Sequence, residues 1–120
     1  MEVERVDFVA VPTRDRELAV AFYGEVLGLR QDEHRSLEFW AGETCLNIWE
    51  PAAYGVEFQP QKNAHIAFRV PDVAAARAEL ESKGIEFEED TVDTGVCHIA
   101  SFTDADGNDL MLHHRYAPHD

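Results

Sequence analysis

Hydrophobic and polar positions along this chain first alternate, then recur every three to four residues, then alternate again, and the succession occurs twice. Residues 3–11 form a β-rich run that ends at Pro12. Leu18, Ala21, Phe22 and Val26 then recur at helical spacing through 15–27. Asp15 is placed to cap the first free backbone amides and Gly28 to stop the helix. Three short β-like segments follow at 29–34, 37–40 and 44–50, with a turn at 41–43 between the last two. Residues 51–62 contain Pro, Gly and Gln without a period and read as a linker.

The plan then repeats. Residues 63–70 predict a strand, Asp72 caps a helix over 73–83 that turns Val73, Ala76 and Leu80 inward, and Gly84 ends it. Segments 85–89, 95–103 and 110–116 supply three further strands. The repeat is visible residue by residue. Phe8-Val9-Ala10-Val11-Pro12-Thr13-Arg14-Asp15 aligns without a gap on His65-Ile66-Ala67-Phe68-Arg69-Val70-Pro71-Asp72. Such a repeat means pseudo-symmetric packing of two supersecondary units. The fold expected is α+β: one domain over 1–120, with module one at 1–50, the linker at 51–62 and module two at 63–120. Each βαβββ module supplies a curved mixed sheet with its helix outside, and the two sheets leave a concave cup suited to a ligand.

Composition narrows the function classes. The 120 residues are 45% hydrophobic, enough for a core, and no apolar run is long enough to span a bilayer. The acidic start, Met1-Glu2-Val3-Glu4-Arg5, lacks the basic and apolar regions of a secretory signal, so a cytoplasmic protein is expected. Twenty-four acidic residues against ten basic ones give a formal charge of −14, which repels nucleic-acid backbones and anionic lipid. Neither a nucleic-acid nor a membrane partner is expected. Cys45 and Cys97 lie in apolar strand-like segments and read as reduced and buried. Cys97 and His98 are neighbours in a strand and point to opposite faces, which argues against a nucleophilic pair.

Three motifs carry a resemblance to a known family. They are Ala21-Phe22-Tyr23-Gly24-Glu25-Val26-Leu27-Gly28-Leu29, the His65–Asp72 segment, and Asp104-Ala105-Asp106-Gly107-Asn108. In order and spacing the chain resembles the vicinal oxygen chelate superfamily, which includes glyoxalase I, bleomycin- and fosfomycin-resistance proteins and extradiol dioxygenases. Ala105 stands where that family's turn has Pro. The resemblance implies the paired βαβββ cup and commonly a homodimer. In metal-using relatives it also implies four inward residues around a divalent ion, typically a His on the first strand of each half and a Glu or Gln on the last. Carried onto this chain, those positions read Phe8, Asn47, His65 and Met111. Only His65 is a strong ligand, and the transition-ion sites of such proteins generally take at least three imidazole, thiolate or carboxylate donors from the protein. Moving the site one layer along the strands supplies no more than two strong ligands. No metal or other cofactor is therefore expected.

The remaining candidates follow from strand parity. His65 shares a face with Ala67 and Arg69, as a hydrogen-bonding group or an acid–base catalyst, or as a histidine satisfied by a neighbour. Phe8 and Met111 suit an apolar pocket floor, or plain core filling. Asn47, Trp49 and Cys45 share one face, where Trp49 can stack on a planar ligand or pack at an interface. His98 shares a face with Ala100 and Phe102, and parity alone does not say which side that is. His113 has the parity of Met111, and His114 points the other way. Asp104, Asp106 and Asp109 read as turn chemistry, because the closing Glu of a calcium loop is missing.

The reading these residues support is a small-molecule-binding protein with a degenerate metal site, using Phe8, Asn47, Trp49, His65, His98 and Met111 for ligand binding or sequestration. The alternative is a lyase, isomerase or dioxygenase-type enzyme. It would act through a rearranged divalent-metal site (His65, His98 and His113) or through His65 as a metal-independent acid or base. A purely structural dimer, its cup filled by Phe8, Trp49 and Met111, is the third possibility.

Overall fold

The computed structural model describes residues 1–119 and resolves into two compact units, the first ending at Gln61 and the second starting at Lys62. Each unit is a βαβββ module with one four-stranded mixed sheet.

In the first unit, β1 (Phe8–Pro12) lies parallel to β4 (Thr44–Trp49), which pairs antiparallel with β3 (Glu38–Ala41), and β3 with the short β2 (Arg30–Gln31). The order β1-β4-β3-β2 puts the first strand beside the last. Pairing begins at Phe8, and Val3 and Val6 are exposed, so the alternation before Phe8 does not extend the strand. The helix α1 (Arg16–Ala21) is capped by Asp15, whose carboxylate accepts from the Glu17 and Leu18 amides. It then widens into a π-helical turn over Phe22–Val26. Gly24 in that turn has a reason to be small: a Cβ there would stand 3.3 Å from Cε1 of Phe39. Leu46, Ile48, Phe39 and Val11 point to the α1 side and are buried with Ala19, Phe22 and Tyr23. Tyr23 meets Phe39 with ring centroids 6.3 Å apart.

In the second unit, β5 (Ile66–Arg69) lies parallel to β8 (Asp109–Arg115), which pairs with β7 (Cys97–Thr103), and β7 with β6 (Val92–Asp93). The order β5-β8-β7-β6 repeats that of the first unit. Helix α2 (Val73–Ser82) is capped by Asp72 and covers the face that buries Ala100, Phe102, Leu110 and Leu112. The strand expected at 85–89 does not form; the edge strand is β6 instead. Ile85 and Phe87 do alternate and are half-buried, but their burial comes from packing. Phe87 sits on Phe102 at 5.1 Å under the Arg77 guanidinium, and only the Glu88 amide reaches β7, at Ser101 O.

The aspartate-rich turn between β7 and β8 is internally satisfied. Asp104 is buried, and its carboxylate accepts from the Asp106 and Asn108 amides and from the Asn108 side chain, all within 2.9 Å. Gly107 takes φ +89°, a conformation that L side chains rarely adopt.

Candidate functional site

Each sheet has one face covered by its helix and one face turned away from it, and most of the sequence-predicted site residues lie on the helix-free faces. In the first unit, Phe8 stands opposite Cys45, Asn47 opposite both Ala10 and Glu38, and Trp49 opposite Pro12. Residues paired in this way share a face, so Phe8, Asn47 and Trp49 are brought together with Cys45, Glu38 and Trp40. Phe8 is 52% exposed, an unusual expense of apolar surface, and Trp49 meets Tyr54 with ring centroids 6.3 Å apart and planes tilted by 52°.

Glu38 and Trp40 were not among the residues the sequence singled out. The signal was a charged residue and a Trp alternating in a short predicted strand, which places both on one face. The polar chemistry of this face is largely spoken for. The Trp40 indole donates to Asp32 at 3.0 Å, with the Arg30 guanidinium 5.7 Å from its ring. That indole bond, with the His34 amide, holds the Asp32 carboxyl below the usual carboxylate range. The Cys45 thiol donates to Glu38 at 3.4 Å. Burial, reinforced by the Glu38 carboxylate, pushes that thiol up to about 11, so Cys45 is a poor nucleophile at neutral pH. Trp49 differs: its Nε1 is buried and has no partner.

In the second unit, Met111 pairs with Ala67 and Ser101, and His113 with Arg69 and Ile99, on the face away from α2. His65 precedes β5 by one residue, half-buried, with the parity of Ala67 and Arg69. Its neighbourhood is set by Asp109. That carboxylate takes the Lys62 ammonium at 2.8 Å and the Asn63 amide at 2.7 Å. Burial pushes the Asp109 carboxyl up, but these two hydrogen bonds and the charges of Lys62 and His65 more than offset it, leaving it below the ordinary range. Arg115, with the same parity as His113, carries the second buried donor without a partner, its Nε. His98 does not join this group. It shares the covered face with Ala100 and Phe102, opposite His114 on β8, so it stands on the other side of the sheet from Met111 and His113.

Two clefts lie on the covered sides. The larger, about 780 Å³, runs along α1 past Arg16, Val20, Gly24, Gln31, Leu37 and Phe39, and contains none of the predicted site residues. The smaller, about 440 Å³, includes His98.

Residues 5–112 match the model of the Glyoxalase/Bleomycin resistance protein/Dioxygenase superfamily. The chain belongs to that superfamily. A curated relative of this glyoxalase-superfamily chain, the uncharacterized protein YaeR of Escherichia coli (strain K12), is 29% identical over 92% of this chain and 96% of its own. A member of the Glyoxalase/bleomycin resistance protein/dioxygenase superfamily from Sphaerobacter thermophilus DSM 20745 superposes with a TM-score of 0.81 at 20% identity, covering 94% of this chain and 98% of that one. Lactoylglutathione lyase from Agrobacterium tumefaciens superposes with a TM-score of 0.76 at 18% identity, over 94% and 95%. At these identities the likeness is one of fold. Superfamily members often hold a divalent ion, and the four positions that would hold it here do not fit one. Phe8 and Met111 offer no hard or imidazole donor, Asn47 offers an amide oxygen, and His65 stands alone as a strong ligand. Among the described residues, no group of three or more His, Cys, Asp or Glu is placed to share an ion. No helix among them is long and apolar enough to cross a membrane.

Proposed function

We propose that this superfamily member binds a small organic molecule on a helix-free sheet face, without a metal at the inherited position. Phe8, Asn47 and Trp49 are the candidate residues on the face of the first unit, and His65 and Met111 those on the separate face of the second. The observation that carries the reading is the buried Trp49 N–H with no partner, on the sheet face that Trp49 shares with Asn47 and Phe8. A buried unpaired donor costs about 1–3 kcal/mol, which a ligand carbonyl, carboxylate or ring nitrogen relieves. Indole and phenyl rings add stacking area for a planar ligand. Ligand sequestration in a cytoplasmic homodimer is the form this function takes in the proposal.

The alternative is an enzyme in which His65 acts as acid or base, and the half-buried place of that imidazole at the start of β5 is the observation in its favour. A lyase, isomerase or dioxygenase with a rearranged metal site has less support, because His98 and His113 stand on opposite faces of one sheet.

Fluorescence tests the proposal directly, since both tryptophans of the chain, Trp40 and Trp49, lie on the face concerned. A panel of planar heteroaromatic carboxylates and carbonyl compounds is titrated while emission is followed. Binders are expected to quench it, and Trp49→Phe, which removes only the donor and part of the ring, to weaken them about tenfold. Compounds that raise the melting temperature yet leave emission and their affinity for Trp49→Phe unchanged would place the ligand elsewhere. Turnover of any of them that disappears in His65→Ala would favour the enzyme.

A further inference from the structure

His98 leaves the helix-free face for a cluster of its own. Register puts Asp93 directly opposite His98, and His98 directly opposite His114, so three polar side chains cross the covered face of the second sheet in a row. Side chains paired in this way have Cβ atoms about 5 Å apart. Both imidazoles line the 440 Å³ cleft at the start of α2, together with Thr91, Tyr116 and Asp72.

Each ring is tied down by one nitrogen. His114 Nδ1 lies 2.9 Å from the carbonyl oxygen of Val70. A carbonyl only accepts, so Nδ1 of the neutral ring carries the proton and Nε2 keeps a free lone pair. His98 Nε2 lies 3.5 Å from Oδ2 of Asp93. The other oxygen of that carboxylate accepts from the Tyr116 hydroxyl at 2.8 Å and the Gly95 amide at 2.9 Å. With both of those donors on its other oxygen, the Asp93 carboxylate faces His98 as an acceptor. The proton of His98 therefore belongs on Nε2, which leaves Nδ1 as its lone pair. The Tyr116 ring packs against the His98 ring at 5.1 Å and limits its rotation.

Imidazoles that bind metals almost always have their second nitrogen fixed by a carboxylate or a backbone carbonyl. Here one ring has the first kind of partner and the opposing ring has the second. Asp72 and Asp93 at the cleft are negative, as is the molecule at −14, and both favour a cation, against the Arg77 guanidinium that donates to Thr91 Oγ1 at 3.1 Å. We propose that His98 and His114 form a site for a first-row divalent transition ion of the Ni²⁺, Cu²⁺ or Zn²⁺ class, on the opposite side of the sheet from Met111 and His113. Imidazole pairs suit these ions, whereas Mg²⁺ and Ca²⁺ prefer oxygen ligands. No third His, Cys, Asp or Glu among the described residues is placed to share the ion. Water fills its other positions, and the ion exchanges readily.

The test is a titration of the full, untagged chain with Cu²⁺ and with Ni²⁺, by calorimetry and by NMR of the imidazole nitrogens. One equivalent is expected, with Ni²⁺ broadening His98 and His114 before the other histidines and Cu²⁺ the tighter of the two. His98→Ala and His114→Ala should each weaken binding at least tenfold, while His65→Ala and His113→Ala leave it unchanged. Asp93→Asn keeps both rings and removes only the carboxylate behind His98. It should weaken binding about 10- to 100-fold and serves if either alanine variant fails to fold. Affinity unaltered by His98→Ala, His114→Ala and Asp93→Asn would overturn the proposal. So would first broadening at His65 or His113, or no binding at millimolar Ni²⁺.

Discussion

Asp109 shows what a single buried carboxylate does for this fold. It joins the end of the linker to the first residue of β8 through Lys62 and the Asn63 amide, and so fixes the entry to β5, where His65 stands. Its side chain is 6% exposed and that of Lys62 is 50% exposed, so the pair is anchored on one side and hydrated on the other. Asp109→Asn should cost about 2 kcal/mol in urea denaturation, mostly from the weakened bond to a charged partner. The pH dependence follows from the sign of the shift. A carboxyl held below its unfolded value stabilises the fold fully above that value, near 4, and loses this contribution as pH falls through the lower folded value. The asparagine variant should therefore lose part of the acid limb of the stability profile; an unchanged limb would mean that other carboxylates carry it. Single residues were legible in the sequence as far as parity goes. Alternation correctly separates Cys97 from His98, and it groups Asn47 with Trp49. It could not say which face of β7 the helix covers, because period two gives two equivalent faces until something packs on one of them.

At the scale of elements, the caps and turns were the most readable features, because their chemistry is local. Asp15 and Asp72 both cap as their spacing predicts. The Asp104–Asn108 segment forms a turn, and its hydrogen bonds are made by the residues the sequence marks. Asp104→Ala, which leaves the Asp106 and Asn108 amides and the Asn108 side chain in search of acceptors, should destabilise by about 2–3 kcal/mol. A thermal melt measures this, and a loss below 0.5 kcal/mol would mean that water replaces the carboxylate. Hydrophobic alternation was less reliable, at both ends of its range. It extended β1 back to Val3, where nothing covers the apolar side chains, and it made a strand of 85–89, where Phe87 is buried by Phe102 and Arg77 rather than by a neighbouring strand. The π-helical widening at Phe22–Val26 left no periodic trace, since it adds no residue type that helices avoid except Gly24.

For the molecule as a whole, the repeat was the decisive signal. The gapless match of 8–15 with 65–72 corresponds to two modules with the same strand order, each with its first strand parallel to its last. The face carrying Phe8, Asn47 and Trp49 was legible from that repeat and from parity together, whereas the His98–His114 cluster depends on a cross-strand register that no local pattern encodes. Charge acts at this scale too. At −14 the folded chain repels itself, so raising NaCl from 10 to 300 mM should raise the melting temperature by a few degrees through screening. A flat response would show that local pairing already neutralises the surface. The strand order has one further consequence, for the growing polypeptide. Because Phe8 has to wait for Cys45, and Ile66 for Leu110, the leading strand of each module emerges from the ribosome long before its partner exists. All the strands of the first module precede Ile66, so that half can close while the second is still being translated, and β1 then goes from two bare edges to the single one of a terminal strand in its sheet.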